Sequence, residues 1–293
     1  KLICYPSFKK ETSYIVPDYV KSIGNFAFYF CDMLTSIILQ NGVTSIGNSS
    51  FSHCIRLKSI ALPNSVKSVG QYSFIYCKSL PTIALSNSIT SISKSFFAYC
   101  NSLISIALPN SVTSIDDYAF ANCSSLLSIV IHNNITSIGM HAFLYCKSLT
   151  SITLPENVVS IGYLAFLGCD RLSTITISPD NPHFKTIEGV LFNKNGSELI
   201  CYPPAKKEKS YTVPDFVKSI GNLAFSGCYS LSLISLQNGV TSIGDAAFLS
   251  CSSLTSISLL NSITSIGRSV FTHCSSLQSI IIPNSVTSIG KSA

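Results

Sequence analysis

Apolar residues recur along this chain in one fixed order. A run of the form L-x-x-I-x-L, as at Leu149, Ile152 and Leu154, is followed by a polar turn. A second apolar pair comes next, such as Val112 with Ile115 or Val158 with Ile161, and then an Ala-Phe stretch that closes on a cysteine. Cys31, Cys54, Cys77, Cys100, Cys123, Cys146 and Cys169 stand 23 residues apart, and the spacing resumes at Cys228, Cys251 and Cys274. A fixed period of this length is the mark of a solenoid, whose units stack because none can bury its apolar side alone. The alternation across Ile152 and Leu154 predicts a short strand with one buried face. Pro63-Asn64, Pro109-Asn110 and Pro283-Asn284 place turn residues directly after it.

Within the unit several columns are legible. Phe28, Phe51, Phe74, Phe97, Phe120, Phe143, Phe166, Phe225, Phe248 and Phe271 predict a buried ring on every coil. Phe166 and Cys169 stand three apart, which predicts one helical or 3₁₀ turn with both on the inner side. A Ser precedes the second Ile in each unit, at Ser45, Ser68, Ser91, Ser114, Ser137, Ser160, Ser242, Ser265 and Ser288. That column is expected to exchange hydrogen bonds along the stacking axis.

The period breaks once, between Cys169 and Cys228. Two strand-like runs around Asn195-Gly196 predict a β-hairpin there. The domain reading is a single solenoid over 1–293: a first array over 1–177, a β-hairpin insert over 178–210 and a second array over 211–293. Leu2-Ile3-Cys4-Tyr5-Pro6 repeats as Leu199-Ile200-Cys201-Tyr202-Pro203 at an offset of 197. The parent sequence is thus expected to alternate arrays with hairpins. The chain opens without Met, inside a motif that recurs complete later. It stops at Ala293, where the pattern calls for the next Phe, and so reads as a fragment of a longer protein.

Composition refines this picture. Charged residues make up 11% and apolar ones 46%, so the surface is supplied mainly by Ser, Thr and Asn. The net charge of +6 is modest, and Lys9-Lys10 and Lys206-Lys207 with Lys209 form no continuous stripe, which speaks against nucleic-acid binding and for solvated loop charge. No apolar run approaches the roughly 18 residues that span a bilayer, so no membrane insertion is expected. Ten of the twelve cysteines share one repeat position and read as a column of small buried side chains with free thiols, rather than as bridges. Cys4 and Cys201 lie outside it and stay open. Asn48, Asn122, Asn134 and Asn195 begin N-glycosylation sequons, meaningful only in a protein secreted by a eukaryote.

Catalytic chemistry is poorly supplied. Gly290-Lys291-Ser292 resembles the end of a phosphate loop, but Gly267-Arg268-Ser269 marks the position as an ordinary coil. His53-Cys54 and His273-Cys274 are the nearest to metal ligands, yet no C-x-x-C occurs and cysteines one coil apart form a line rather than a tetrahedron. Neither a G-x-S-x-G nor a convergent set of histidines is present. No enzyme, no cofactor and no metal is expected.

The unit L-x-x-I-x-L-P-N-S-V-T-S-I-G-x-x-A-F-x-x-C resembles the BspA-like class of leucine-rich repeats. So does the insert, with its NP-x-F, GVLFN and LICYP segments. The resemblance implies a curved α/β-type horseshoe: two short strands and one short helical or 3₁₀ turn per unit, interrupted by the hairpin insert. Here Asn comes eighth in the unit, as at Asn64, Asn87 and Asn110, so the Asn ladder of other leucine-rich repeats is not carried over. The resemblance also implies a non-enzymatic surface module, at the cell surface or secreted. Its implied partner is a protein or glycoprotein of the host cell or extracellular matrix. The alternative is an intracellular scaffold that binds other proteins on the same repeats. Incomplete coils at the ends predict end-to-end self-association.

One column looks unlike core. The residue before each Cys reads Phe30, His53, Tyr76, Tyr99, Asn122, Tyr145, then Gly168, Gly227, Ser250 and His273. Stacked coils would line these rings up about 4.8 Å apart. Rows of Tyr and His combine apolar area with a polar tip, as binding surfaces do. Phe30, His53, Tyr76, Tyr99 and Tyr145 are therefore the candidate binding residues. The bland alternative is that the rings lie sideways and shield the turn. Tyr163 is a further variable position.

Overall fold

Each repeat pairs with the next in parallel and in register, so residues one period apart sit directly above one another. Ser13, Ser36 and Ser59 are successive partners in one sheet. Ser22, Ser45 and Ser68 are partners in a second, and Ser91, Ser114, Ser137 and Ser160 continue that pattern. The computed structural model describes all 293 residues. They form two compact units, Lys1–Leu149 with Asn157–Cys169, and Thr150–Glu156 with Asp170–Ala293. Each unit is a β-solenoid of such coils.

The columns read from the sequence are the core. In the first unit Phe28, Phe51, Phe74, Phe97, Phe120 and Phe143 are completely buried. Their rings stack at 5.1–5.7 Å between centroids. Each contributes on the order of 1.5–3 kcal/mol of burial. Tyr5 stacks on Phe28 at 5.5 Å and opens this ladder. In the second unit Tyr202 stacks on Phe225 at 5.3 Å in the same way, followed by Phe248 and Phe271. The repeated LICYP segment thus supplies the first ring of each stack, a role its sequence did not reveal.

All ten column cysteines are buried, and their thiols do more than fill space. Cys54 donates to the Phe28 carbonyl at 3.0 Å and Cys77 to Phe51 at 3.2 Å. Cys100 donates to Phe74 at 3.1 Å, and Cys251 to Phe225 at 3.0 Å. Each thiol therefore satisfies a carbonyl of the preceding coil. Burial pushes the Cys100 thiol far above its ordinary pKa.

The expected helical turn between Gly and Cys does not form, and the structure contains no helix. Instead the amides alternate. Those of Ala27, Tyr29 and Cys31 fold back three residues, to Gly24, Phe26 and Phe28. Those of Phe26, Phe28 and Phe30 cross to the carbonyls of Asn48, Ser50 and Ser52 on the next coil, at 3.0, 2.7 and 3.0 Å. Phe26 and Phe30 adopt left-handed φ values of 56° and 55°, which a right-handed helix excludes. A helix this short would leave its end amides and carbonyls unpaired; the ladder pairs them between coils.

In the second unit Thr174–Ile177 pairs in parallel with Ser151–Leu154. The chain then makes two successive hairpins. Phe184–Ile187 runs antiparallel to Val190–Asn193 across Glu188-Gly189, and Val190–Asn193 runs antiparallel to Glu198–Cys201 across Asn195-Gly196. The hairpin at Asn195-Gly196 is the expected one; the other was not read. Its turn residues have φ of 52° and 79°, so Glu occupies a left-handed position that more often announces itself as Asn or Asp. Glu198–Cys201 pairs in parallel with Ser219–Ile220, which makes the insert the edge of a seven-stranded sheet. Asn181 anchors it. Fully buried, it donates to the carbonyls of Pro155 and Glu156 and accepts from the amides of His183 and Phe184.

Lys206, read as a solvated loop charge, is turned inward. Its Nζ donates to the Glu188 carbonyl at 2.8 Å, pairs with Glu208 at 3.1 Å and sits 5.8 Å from the Tyr202 ring centroid. The lysine thereby ties the first hairpin to the first ring of the second stack.

Candidate interaction surface

The residue before each column cysteine is held in the left-handed conformation. In the first unit φ is 55° at Phe30, 61° at His53, 62° at Tyr76 and Tyr99, 59° at Asn122 and 55° at Tyr145. Gly168 and Gly227 take the same position at 71° and 73°. Left-handed backbone costs a non-Gly residue about 1–2 kcal/mol, so four successive aromatic side chains need a compensating interaction. They provide it among themselves. Phe30 stacks on His53, His53 on Tyr76 and Tyr76 on Tyr99, each at 4.4 Å between centroids with interplanar angles of 21°, 28° and 10°. Offset ring pairs of this kind contribute about 0.5–1.5 kcal/mol each.

The structure therefore joins four of the five candidate residues and leaves Tyr145 apart, beyond Asn122. Tyr145 instead lies over Gly168: a Cβ added there would come within 2.2 Å of the Tyr145 ring. Phe30, Tyr99 and Tyr145 are 44%, 37% and 43% exposed, while His53 and Tyr76 are half-buried between their neighbours. Tyr29 adds an edge-on ring, 4.5 Å from Phe30. Burial lowers the His53 pKa, with Asp32 acting against the shift and Lys78 with it. Ser52 Oγ lies 2.8 Å from His53 Nδ1. The Lys78 ammonium stands 5.7 Å from the Tyr76 ring centroid.

A second left-handed column runs four residues earlier, through Phe26, Ser49, Tyr72, Ser95, Tyr118, His141 and Leu164. Tyr118 and His141 stack at 4.6 Å, and Tyr163 meets His141 edge-on at 6.3 Å. The column comparison that picked out Phe30 would have found these residues if applied four positions earlier.

The Ser column lines a different surface. In each unit a shallow groove follows the Ser-Ile strands. It encloses about 540 Å³ beside Asp116, Asp117, Ser137 and Ser160 in the first unit. In the second it encloses about 510 Å³ beside Glu198, Ser242, Asp245 and Arg268. The expected Ser-to-Ser bonding is replaced by the Thr one residue earlier. Thr136 Oγ1 donates to the Thr113 carbonyl at 3.2 Å, Thr113 Oγ1 to Thr90, and Thr264 Oγ1 to Thr241. The Thr hydroxyl lies over the main chain of the preceding coil, which leaves the half-exposed Ser hydroxyls facing the groove. Beyond the Gly column a short side-chain ladder caps amides: Asn25 Oδ1 accepts from Asn48, and Asn48 Oδ1 from Gln71, at 2.9 and 3.0 Å.

The candidate metal pairs do not assemble. Cys54 and Cys274 turn their thiols inward to the carbonyls of Phe28 and Phe248, each at 3.0 Å. No three His, Cys, Asp or Glu side chains converge. No helix is long and apolar enough to cross a membrane.

Comparison with known families returns the BspA type leucine rich repeat region in six copies, matching residues 4–127, 115–205 and 200–293. The chain belongs to the BspA-type leucine-rich repeat family. Among solved structures of this kind, it is similar to a leucine rich cell surface protein from Faecalibacterium prausnitzii A2-165. The two are 32% identical with a TM-score of 0.86, over 96% of this chain and 78% of that one. A leucine-rich repeat protein from Bacteroides ovatus ATCC 8483 is 27% identical with a TM-score of 0.60, over 95% and 74% of the two chains. The pneumococcal vaccine antigen PcpA is 25% identical with a TM-score of 0.52, over 95% of this BspA-type chain and 58% of the antigen. A search of curated proteins finds no match.

Proposed function

We propose that this BspA-type chain is a non-enzymatic recognition module, displayed at the cell surface or secreted, that adheres to a protein of a host cell or its matrix through the aromatic stripe of the first unit. The observation that carries the reading is the four-ring stack at left-handed positions. Glycine would hold that backbone without strain, as Gly168 and Gly227 do, yet Phe30, His53, Tyr76 and Tyr99 occupy it with exposed apolar edge. Similarity to a protein described as cell-surface and to a pneumococcal antigen supports the location.

The test is to replace Tyr76, Tyr99 and Tyr145 together with Asn, which the column already tolerates at Asn122. Binding to immobilised matrix proteins and to epithelial cells is then measured beside circular dichroism. Loss of binding with an unchanged spectrum is expected. Undiminished binding by the folded triple variant would exclude the stripe. Antibody staining of unpermeabilised cells carrying the parent protein is expected to be positive; staining only after permeabilisation would favour an intracellular scaffold.

A further inference from the structure

Resting on that reading, we infer that the stripe takes an acidic protein segment, one that pairs carboxylates with apolar side chains, rather than a glycan. The stacking geometry argues first. Sugars bind aromatic residues through the ring face, and the faces of His53 and Tyr76 are occupied by neighbouring rings at 4.4 Å on both sides. At these two inner rings what remains open is the edges and the Tyr76 hydroxyl, while the end ring Tyr99, next to Asn122, keeps a face without a stacked ring. Ring edges carry the positive part of the aromatic quadrupole, and hydroxyls donate, so both favour anionic oxygen.

Charge around the stripe argues the same way. From the second to the sixth coil, the segments 49–56, 72–79, 95–102, 118–125 and 141–148 contain Arg56, Lys78 and Lys147 and no Asp or Glu. All three cations are exposed. Lys78 stands over the Tyr76 ring, and Lys147 follows Tyr145 at the same spacing, Tyr-Cys-Lys in both coils. Asp32, on the first coil, is the acidic group close enough to influence His53. From His53 onward the ring edges are flanked by Arg56, Lys78 and Lys147, with Asp32 at the Phe30 end, and this cationic stretch is complementary to a chain that alternates carboxylate and apolar side chains.

The experiment uses the whole chain and fluorescence anisotropy with three fluorescein-labelled peptides, of alternating Glu and Leu, Ser and Leu, and Lys and Leu. Polygalacturonate serves as an acidic glycan competitor. The Glu-Leu peptide is expected to bind, to weaken as salt rises, and to bind about tenfold better than the Ser-Leu peptide. Lys78→Gln with Lys147→Gln should remove about that tenfold preference, and Tyr76→Asn with Tyr99→Asn should remove binding of every peptide. Equal binding of the Glu-Leu and Ser-Leu peptides would overturn the inference, as would displacement by polygalacturonate at lower concentration than the peptide itself. The two readings fail separately. If the ring variant loses matrix binding but the wild type does not prefer acidic peptide, only the partner chemistry is wrong; if the ring variant still binds matrix protein, the stripe itself is.

Discussion

Replacing Asn181 with Ala is the most direct test of how the insert is held. The side chain is completely buried. Its Nδ2 donates to Pro155 and Glu156 at 3.0 and 3.1 Å, and its Oδ1 accepts from His183 and Phe184 at 2.8 Å each. Alanine abandons all four main-chain groups. Each buried group left unpaired costs about 1–3 kcal/mol. The void is polar, and a water entering it would pair again with two or more of them. The expected loss is therefore about 3–5 kcal/mol rather than the full sum. Urea unfolding followed by circular dichroism gives the magnitude, and hydrogen exchange gives the place: the amides of His183 and Phe184 should lose protection first. Asn181→Asp keeps the acceptor but turns a second oxygen toward two carbonyls. Its folded-state carboxyl pKa is raised, so its stability should improve as pH falls and the carboxyl becomes a donor. A loss below about 1 kcal/mol for Asn181→Ala, with unchanged exchange at His183 and Phe184, would refute this account of the anchor.

Further outcomes follow from the same structure. Tyr99→Gly should be close to neutral in urea unfolding, relief of left-handed strain offsetting one lost stacking contact. Tyr99→Val should cost about 2 kcal/mol more, because a β-branched residue resists φ near +60°; equal stabilities would count against the strain argument. Cys100→Ser should preserve more stability than Cys100→Ala in the same assay, since only the hydroxyl can still donate to Phe74; the reverse order would make the thiol mere filler. Burial pushes the Cys201 thiol up to about 12, whereas an unfolded thiol ionises near about 8.5. Its contribution is therefore complete below that value and is lost as pH rises toward 12, so Cys201→Ala should flatten the alkaline fall in melting temperature.

The aromatic stripe was legible as a column but not as a surface. Aligning the cysteines finds Phe30, His53, Tyr76 and Tyr99 because identical positions in successive coils are neighbours. The same alignment groups Tyr145 with them, although Asn122 interrupts the stack and Gly168 lets the Tyr145 ring lie down. The left-handed backbone had a faint signal, the Gly and Asn residues of that column, which aromatic residues in the same place concealed. The column of Tyr118 and His141 contains no Gly or Asn and so offered not even that signal.

What the sequence determined about this protein is the stacking itself. A period of 23 with Phe, Ile, Leu and Cys at constant offsets admits parallel, in-register pairing and little else, because any other register would move the apolar columns out of the core. Only the tertiary structure decided what passes between coils. The amide of Phe28 reaches the carbonyl 22 residues ahead, and the thiol of Cys54 reaches the carbonyl 26 residues behind. Neither offset equals the period, so periodicity cannot report them. They depend on left-handed φ at two residues of each coil, four apart, which exchanges an isolated helical turn for a ladder between coils, and it is that ladder which sets the stripe's rings face to face.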